Sequence, residues 1–289
     1  MRESESAPAS ARNSSVAECL ARAALPRLEA LLLLEAATGL TRVALLTHPE
    51  RPLSVAQETK FLDWCARRRL GEPLAYLIGR REFYGLDFAV NQDVLIPRPE
   101  TELLVEWALA RIAGGARRVL DLGTGSGAVA IAIAKHAPAA EVWATDVSAK
   151  ALAVAAANAA CHGAAIRCIE SHWFDALREE RFDVIVANPP YVAFGDPHLM
   201  EGDLRFEPIG ALVGGHDGLD AIRAIAGGAS AMLVDGGWMA MEHGYNQGES
   251  VAALFAALGY RDVTRHADLA GIWRVTSCRS VRSGTTPAT

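Results

Sequence analysis

The 289-residue chain is 51% hydrophobic and 21% charged, which predicts one large or two modest globular domains with a real core. Its net charge of −6 argues against a protein built to live on a nucleic-acid backbone, and Arg67-Arg68-Arg69 reads as a solvated helix face. Five scattered cysteines (Cys19, Cys65, Cys161, Cys168, Cys278) form no disulfide framework and fit a reducing cytoplasm, no secretory signal is visible, and the greasiest stretch, Ala30–Leu34, is far too short to span a bilayer.

Residues 1–13 are rich in Ser, Ala and Glu and are predicted to be frayed. From 14 to 80 the pattern is helical: Leu20, Leu25, Leu28, Leu31, Leu32 and Leu34 recur at mostly three- and four-residue steps, and Phe61, Trp64 and Leu70 form a second run. Gly39, Pro49, Pro52 and Gly71-Glu72-Pro73 punctuate them, and Ser54 starts a helix, so a bundle of about four helices is expected. Residues 81–97 read as a β-hairpin linker, with strands at 82–90 and 94–96 around Asn91-Gln92-Asp93. A helix over Leu103–Ile112 follows and ends at Gly114-Gly115.

From Arg117 strands and helices alternate. Strands are predicted at 118–122, 141–145, 165–170, 182–187, 237–242, 262–266 and 272–277, with helices at 128–136, 149–160, 218–234 and 247–258. Alternation of this kind implies an α/β domain over 98–279, with a mostly parallel sheet covered on both faces and an antiparallel pair at one edge. The tail, 280–289, is polar and predicted to be disordered. Cys161, His162, Cys168 and His172 contain no C-x-x-C pair and match no common zinc spacing, so no metal site is predicted.

Asp121-Leu122-Gly123-Thr124-Gly125-Ser126-Gly127 is a strand end running into a glycine loop ahead of a helix, and Asp146 ends the next strand 19 positions after Gly127. A carboxylate there reaches the ribose hydroxyls of a bound nucleoside. Gly123, Gly125 and Ala128 also satisfy the permissive dinucleotide pattern, so NAD competes with S-adenosylmethionine for this frame. Asp121, two residues before the first glycine, would repel a pyrophosphate and attract a cation, which favours the sulfonium cofactor. Trp173 and Phe174, after the third strand, are candidates to flank an adenine. Ser126 is no hydrolase nucleophile, because position 124 is Thr and the G-x-S-x-G elbow is missing.

Asn188-Pro189-Pro190-Tyr191 follows the apolar run 182–187, at the carboxyl tip of a strand, where α/β proteins hold ligands. Two prolines stiffen the backbone and leave carbonyls without N–H groups, while asparagine adds a side-chain oxygen. Such a ledge of acceptors can grip a planar –NH2 group by its two hydrogens, and Asn188 is assigned to both the cofactor and the catalytic sets.

The order Asp121–Gly127, Asp146, Asn188–Tyr191 resembles the amino-directed methyltransferases, which include DNA amino-methyltransferases and the release-factor glutamine methyltransferases (PrmC/HemK). The flanks resemble the latter: Ile96-Pro97-Arg98-Pro99-Glu100-Thr101-Glu102, Asp196-Pro197-His198, Phe206-Glu207-Pro208, Glu242-His243-Gly244 and Arg274-Val275. The likeness covers about 15–279; Ile272-Trp273 departs from it, and Cys278 has no assigned role. The resemblance implies a Rossmann-like methyltransferase sheet that uses S-adenosyl-L-methionine and releases S-adenosyl-L-homocysteine. It also implies a cytoplasmic role in translation termination, with the 14–80 domain docking the release factor. The acceptor would be the glutamine of that factor's Gly-Gly-Gln loop, gripped by the Asn188 side-chain oxygen and the Pro189 carbonyl, with Tyr191 packed on the amide. A nucleic-acid amino-methyltransferase is the alternative, and the acidic balance counts against it.

Overall fold

The computed structural model describes residues 13–281, so the expectations for the two ends of the chain fall almost wholly outside the described residues. The chain divides between Ile78 and Gly79 into two compact units.

In the first unit, α1 (Val16–Arg22), α2 (Arg27–Thr38), α3 (Arg42–Thr47), α4 (Val55–Arg69) and α5 (Leu74–Ile78) pack around Leu33, Leu34, Leu45, Leu53, Phe61 and Leu77. Five helices appear among the described residues where the sequence suggested about four. The short α3 and α5 contain too few turns to show a period. Ser15 with Glu18, and Ser54 with Gln57, close reciprocal capping boxes that satisfy the free N–H groups at the starts of α1 and α4. α2 stops at Gly39, whose φ of +72° a side chain would resist. Leu28 and Leu70, expected among the apolar positions, are exposed.

The second unit opens with a hairpin, β1 (Arg80–Phe83) and β2 (Leu86–Ala89), paired from Arg80 opposite Ala89 to Phe83 opposite Leu86. This corrects the sequence expectation. The strand at 82–90 is broken by Tyr84-Gly85, both at positive φ (+53° and +74°), a two-residue turn whose twist suits a hairpin. Asn91–Asp93 does turn, with Asn91 Oδ1 accepting from the Asp93 N–H at 2.9 Å, but no strand follows it. Val94 and Ile96 are buried as irregular chain.

After a Pro99–Thr101 turn come α6 (Glu102–Ala113), β3 (Arg118–Leu122), α7 (Ala128–His136), β4 (Glu141–Asp146), α8 (Ala149–His162), β5 (Ile166–Glu170) and β6 (Phe182–Ala187). Then follow α9 (Ile209–Leu212), α10 (Asp220–Met232), β7 (Leu233–Glu242), α11 (Gly248–Ala257), β8 (Arg261–Ala267) and β9 (Trp273–Arg279). The sheet order is β5-β4-β3-β6-β7-β9-β8; β9 inserts antiparallel between β7 and the edge strand β8. Strand alternation sorts the core. Val119, Val142, Val184 and Val186 face α6, α7 and α8, while Leu120, Trp143, Ile185 and Met239 face α10 and α11. The strand order reverses between β3 and β6, which opens a ligand crevice at their carboxyl ends.

Asn158 on α8 ties the hairpin to this crevice. Its Oδ1 accepts from the Ala89 N–H at 2.8 Å, and its Nδ2 donates to the Ala89 carbonyl at 3.0 Å and the Ser126 carbonyl at 2.8 Å. Buried polar groups left unpaired are costly. Asn158→Ala is therefore expected to lower unfolding free energy by about 2–3 kcal/mol, as measured by urea denaturation.

Candidate active site

Parallel pairing places Leu122 beside both Thr145 and Ala187. The next residue on each strand is a predicted site residue: Gly123 after β3, Asp146 at the end of β4, Asn188 after β6. These three line one cavity of about 360 Å³, with Trp173, Pro190, Val147, Ser148, Ala151 and the Asp93–Leu95 segment. That volume lies within the range of small-ligand pockets.

The other predicted cofactor residues have different places. Asp121 is 2% exposed and lies behind the loop, where its Oδ2 accepts from the Thr124 hydroxyl at 2.7 Å and the Ala130 N–H at 3.2 Å. Thr124 and Ser126 are buried. Gly127, at φ +82°, starts α7, and a Cβ there would come within 2.8 Å of Ile131 Cδ1 and 3.1 Å of Ala155 Cβ. Phe174 packs over Gly228 on α10 and does not line the cavity. Trp173 does line it, at φ +48°, a conformation a bulky residue adopts only under constraint. The Ser171 hydroxyl supplies that constraint by donating to the Trp173 carbonyl at 3.0 Å.

The loop's own hydrogen bonds separate the two cofactors. The Thr124 N–H donates to the Thr145 carbonyl, the Gly127 N–H to the Thr124 carbonyl, and the Gly125 N–H to Asp146 Oδ2, at 2.9 Å each. A pyrophosphate site needs such N–H groups free and no carboxylate behind them. This loop has spent three of them, and Asp121 lies beneath. Asp146 keeps lone pairs for hydroxyl donors, because each carboxylate oxygen accepts two. The mostly apolar lining, with Asp93 and Asp146 as its acids, fits an uncharged nucleoside with a cationic tail.

The tetrapeptide separates this cavity from a second one of about 140 Å³, lined by Arg98, Pro189, Tyr191, Val192, Leu204 and Leu212. Asn188, Leu95 and Ala211 border both. The Asn188 Nδ2 donates to Thr101 Oγ1 at 3.1 Å, which leaves its Oδ1 as an acceptor toward the cavities. The Tyr191 hydroxyl donates to Glu242 Oε1 at 3.2 Å, and the Tyr191 carbonyl accepts from Gln247 Nε2 at 3.0 Å. Behind the ledge, a Cβ on Gly214 would lie 2.3 Å from the Pro190 carbonyl oxygen, and one on Gly218 equally close to that of Tyr191. Arg98 pairs with buried Glu207, whose other oxygen accepts from the Ile96 N–H at 3.1 Å.

Sequence reasoning missed Thr101, Glu242, Gly214 and Gly218 as parts of the site. The first two stood inside the quoted motifs, but only the fold shows what they touch. The glycines of Gly214-Gly215-His216-Asp217-Gly218 carried a visible turn signal with no indication of their neighbour.

Burial raises the carboxyls of Asp121 and Glu242 to about 7 each; the Thr124 hydroxyl opposes the first shift, and the Thr101 and Tyr191 hydroxyls the second. Burial also raises the Tyr191 phenol. A raised acid binds its proton more tightly folded than unfolded, so its stabilising contribution is full below about 4 and is lost as pH rises through about 7. Unfolding free energy should accordingly fall between pH 5 and pH 8, and Asp121→Asn should flatten that slope in denaturant titrations at the two pH values. Gly214→Ala should displace the Pro190 carbonyl and cost about 1–3 kcal/mol of stability, read in the same titrations.

Residues 14–79 match the family described as PrmC N-terminal domain, and residues 99–200 match the Methyltransferase small domain. A release factor glutamine methyltransferase of Bordetella pertussis is 53% identical over 260 residues, covering 89% of this chain and 96% of that protein. One from Burkholderia pseudomallei is 50% identical over 274 residues, covering 92% and 96%. A methyltransferase structure from Pyrococcus furiosus, 21% identical, aligns over 75% of this chain and 97% of that one with a TM-score of 0.53, a likeness of fold. With half its residues shared over nearly the full length of such relatives, the chain belongs to the release factor glutamine methyltransferase family.

Proposed function

We propose that this enzyme transfers a methyl group from S-adenosyl-L-methionine to the side-chain amide nitrogen (N5) of the glutamine in the Gly-Gly-Gln loop of bacterial peptide chain release factors. The products are N5-methylglutamine and S-adenosyl-L-homocysteine. The observation that carries this reading is the position of Asn188, which borders a nucleoside-sized cavity on one side and a narrow pocket on the other. The helical unit, which matches the PrmC N-terminal domain, is proposed to engage the body of the release factor, in the cytoplasm.

Gly123, Asp146, Trp173 and Asn188 would hold the cofactor: Asp146 by its hydroxyls, Trp173 by its flat base, and Asn188 at the reacting end. When bound, the cofactor supplies a methyl carbon made electrophilic by the attached sulfonium. An amide nitrogen is a poor nucleophile because its lone pair is delocalised into the carbonyl. Asn188 Oδ1 and the Pro189 carbonyl can each accept one amide hydrogen, which holds the nitrogen and favours a geometry with the lone pair out of conjugation. The same acceptors stabilise the positive charge that develops on nitrogen, and they are fixed before reaction. No base is needed ahead of attack, since the extra proton leaves afterwards. Pro190 and Tyr191 direct their carbonyls backward, toward Gly214, Gly218 and Gln247, so they are assigned to stiffness and packing, not to the grip.

Asn188→Ala is expected to cost about 2.7–4 kcal/mol of barrier, read as kcat/KM, while cofactor affinity changes little. Asp146→Ala should instead weaken cofactor binding in calorimetry. The substrate is tested by incubating the enzyme and radiolabelled S-adenosylmethionine with a release factor, with the same factor carrying alanine for its loop glutamine, and with bulk DNA. Label on the unaltered factor alone is the expected result; label on DNA would replace the acceptor.

A further inference from the structure

The inference rests on the release-factor reading and concerns how the grip is kept in its working orientation. The asparagine carboxamide is nearly symmetrical in shape, and its two ends differ only in hydrogen-bonding sense. Turned by half a rotation, Asn188 would present its NH2 group to the substrate's NH2 group, donor against donor, and the acceptor ledge would become repulsive. Something must therefore fix its sense.

Thr101 is the partner at the far end of that amide. It is 5% exposed, closes the Pro99–Thr101 turn ahead of α6, and receives the Asn188 Nδ2 hydrogen. A hydroxyl alone cannot set a direction, because it can donate as well as accept. Glu242 removes that freedom. It ends β7, is 1% exposed, and has the Thr101 hydroxyl beside its carboxylate. Ionised, as it is above about pH 7, it can only accept, so it draws the threonine hydrogen to itself and leaves Thr101 only lone pairs to offer Asn188. Glu242 Oε1 takes the Tyr191 hydroxyl hydrogen, and Oε2 has no hydrogen-bond partner among the described residues. A buried carboxylate with one oxygen this poorly paired is an expensive way to fill space. Its placement makes sense as the origin of a direction: acceptor at Glu242, hydroxyl at Thr101, amide at Asn188, then substrate.

We propose that Thr101 and Glu242 are positioning residues that set the sense of the Asn188 amide and so keep its oxygen toward the acceptor. Neither touches the reacting atoms. Thr101→Val keeps the shape but removes the anchor, and Thr101→Ser restores it. Glu242→Gln keeps the size but brings a donor to Thr101, which frees the threonine hydrogen to point at Asn188 and reverse it.

The test has two readouts. The first is kinetic, at saturating cofactor and release factor and at a pH well above about 7, where Glu242 is ionised. Thr101→Val and Glu242→Gln are each expected to lower kcat about tenfold or more with cofactor Kd within about threefold, and Thr101→Ser to stay within about threefold of wild type in both. The double variant should be no slower than the slower single one, because both changes break one chain of bonds. The second readout needs no acceptor. The protein has five asparagines (Asn13, Asn91, Asn158, Asn188, Asn246), so a 15N-asparagine spectrum is simple, and Asn188→Ala identifies the Asn188 side-chain amide. One of its two hydrogens should be protected from solvent exchange in wild type and Thr101→Ser, and unprotected in Thr101→Val. Equal exchange in wild type and Thr101→Val, or an unchanged kcat in Thr101→Val, overturns the proposal. A wild-type enzyme that labels no release factor but shows the protected hydrogen overturns the substrate and leaves the positioning intact.

Discussion

The site depends on register. Three adjacent parallel strands end level with one another, because Leu122 pairs with Thr145 on one side and Ala187 on the other. A slip of one residue between β3 and β6 would turn every side chain of one strand to the opposite face. It would bury Asn188 or move it away from Gly123. The two-faced core forbids the slip: valines from these strands meet α6, α7 and α8, while leucine, isoleucine and tryptophan meet α10 and α11. The packing that stabilises the sheet is thus the same packing that aligns the glycine loop, Asp146 and Asn188.

A second level of order is built from segments far apart in the chain. Arg98 binds Glu207, Thr101 receives Asn188, Tyr191 reaches Glu242, and the Glu242 neighbour His243 donates its N–H to the Arg274 carbonyl at 2.9 Å. Every quoted family-like segment except Asp196-Pro197-His198, whose acid and imidazole bond each other, supplies a partner to one of these contacts. The tetrapeptide has no freedom of its own, since prolines fix its backbone, Gln247 holds its last carbonyl and two glycines close its rear. Rigid support of this kind matters in catalysis, because acceptors already in place need no reorganisation when charge appears.

Much of this was legible in the residues. The strand bearing Asp121, the strand leading into Asn188 and the helix after Gly127 fell at 118–122, 182–187 and 128–136, as expected, because long apolar runs bounded by glycine or proline leave few choices. The hairpin was misplaced because Tyr84 at positive φ gives no warning in the sequence, whereas Asn91-Gln92-Asp93 shows a turn pattern without a strand to follow. Asp121 was read as a charge aimed at the cofactor, yet it braces the loop from behind. Trp173 and Phe174 were adjacent candidates that the fold sends different ways, one into the cavity and one onto α10. Spacing identifies which strand end a residue occupies; it does not say whether a side chain faces the ligand or its support.

The narrow pocket is built unequally. Its grip is made of backbone, prolines and one anchored amide, closed behind by Gly214 and Gly218, where any Cβ would collide with a carbonyl oxygen. Its opposite lining, Val192, Leu204 and Leu212, is ordinary aliphatic side chain. Random change will be felt very differently on the two sides. On the proposed reading, a side chain added on the first displaces the ledge, while a methyl group gained or lost on the second changes only the shape of the pocket. If the pocket takes the acceptor as proposed, a lineage descending from such a protein can explore new acceptors by drifting along one wall while the other stays frozen.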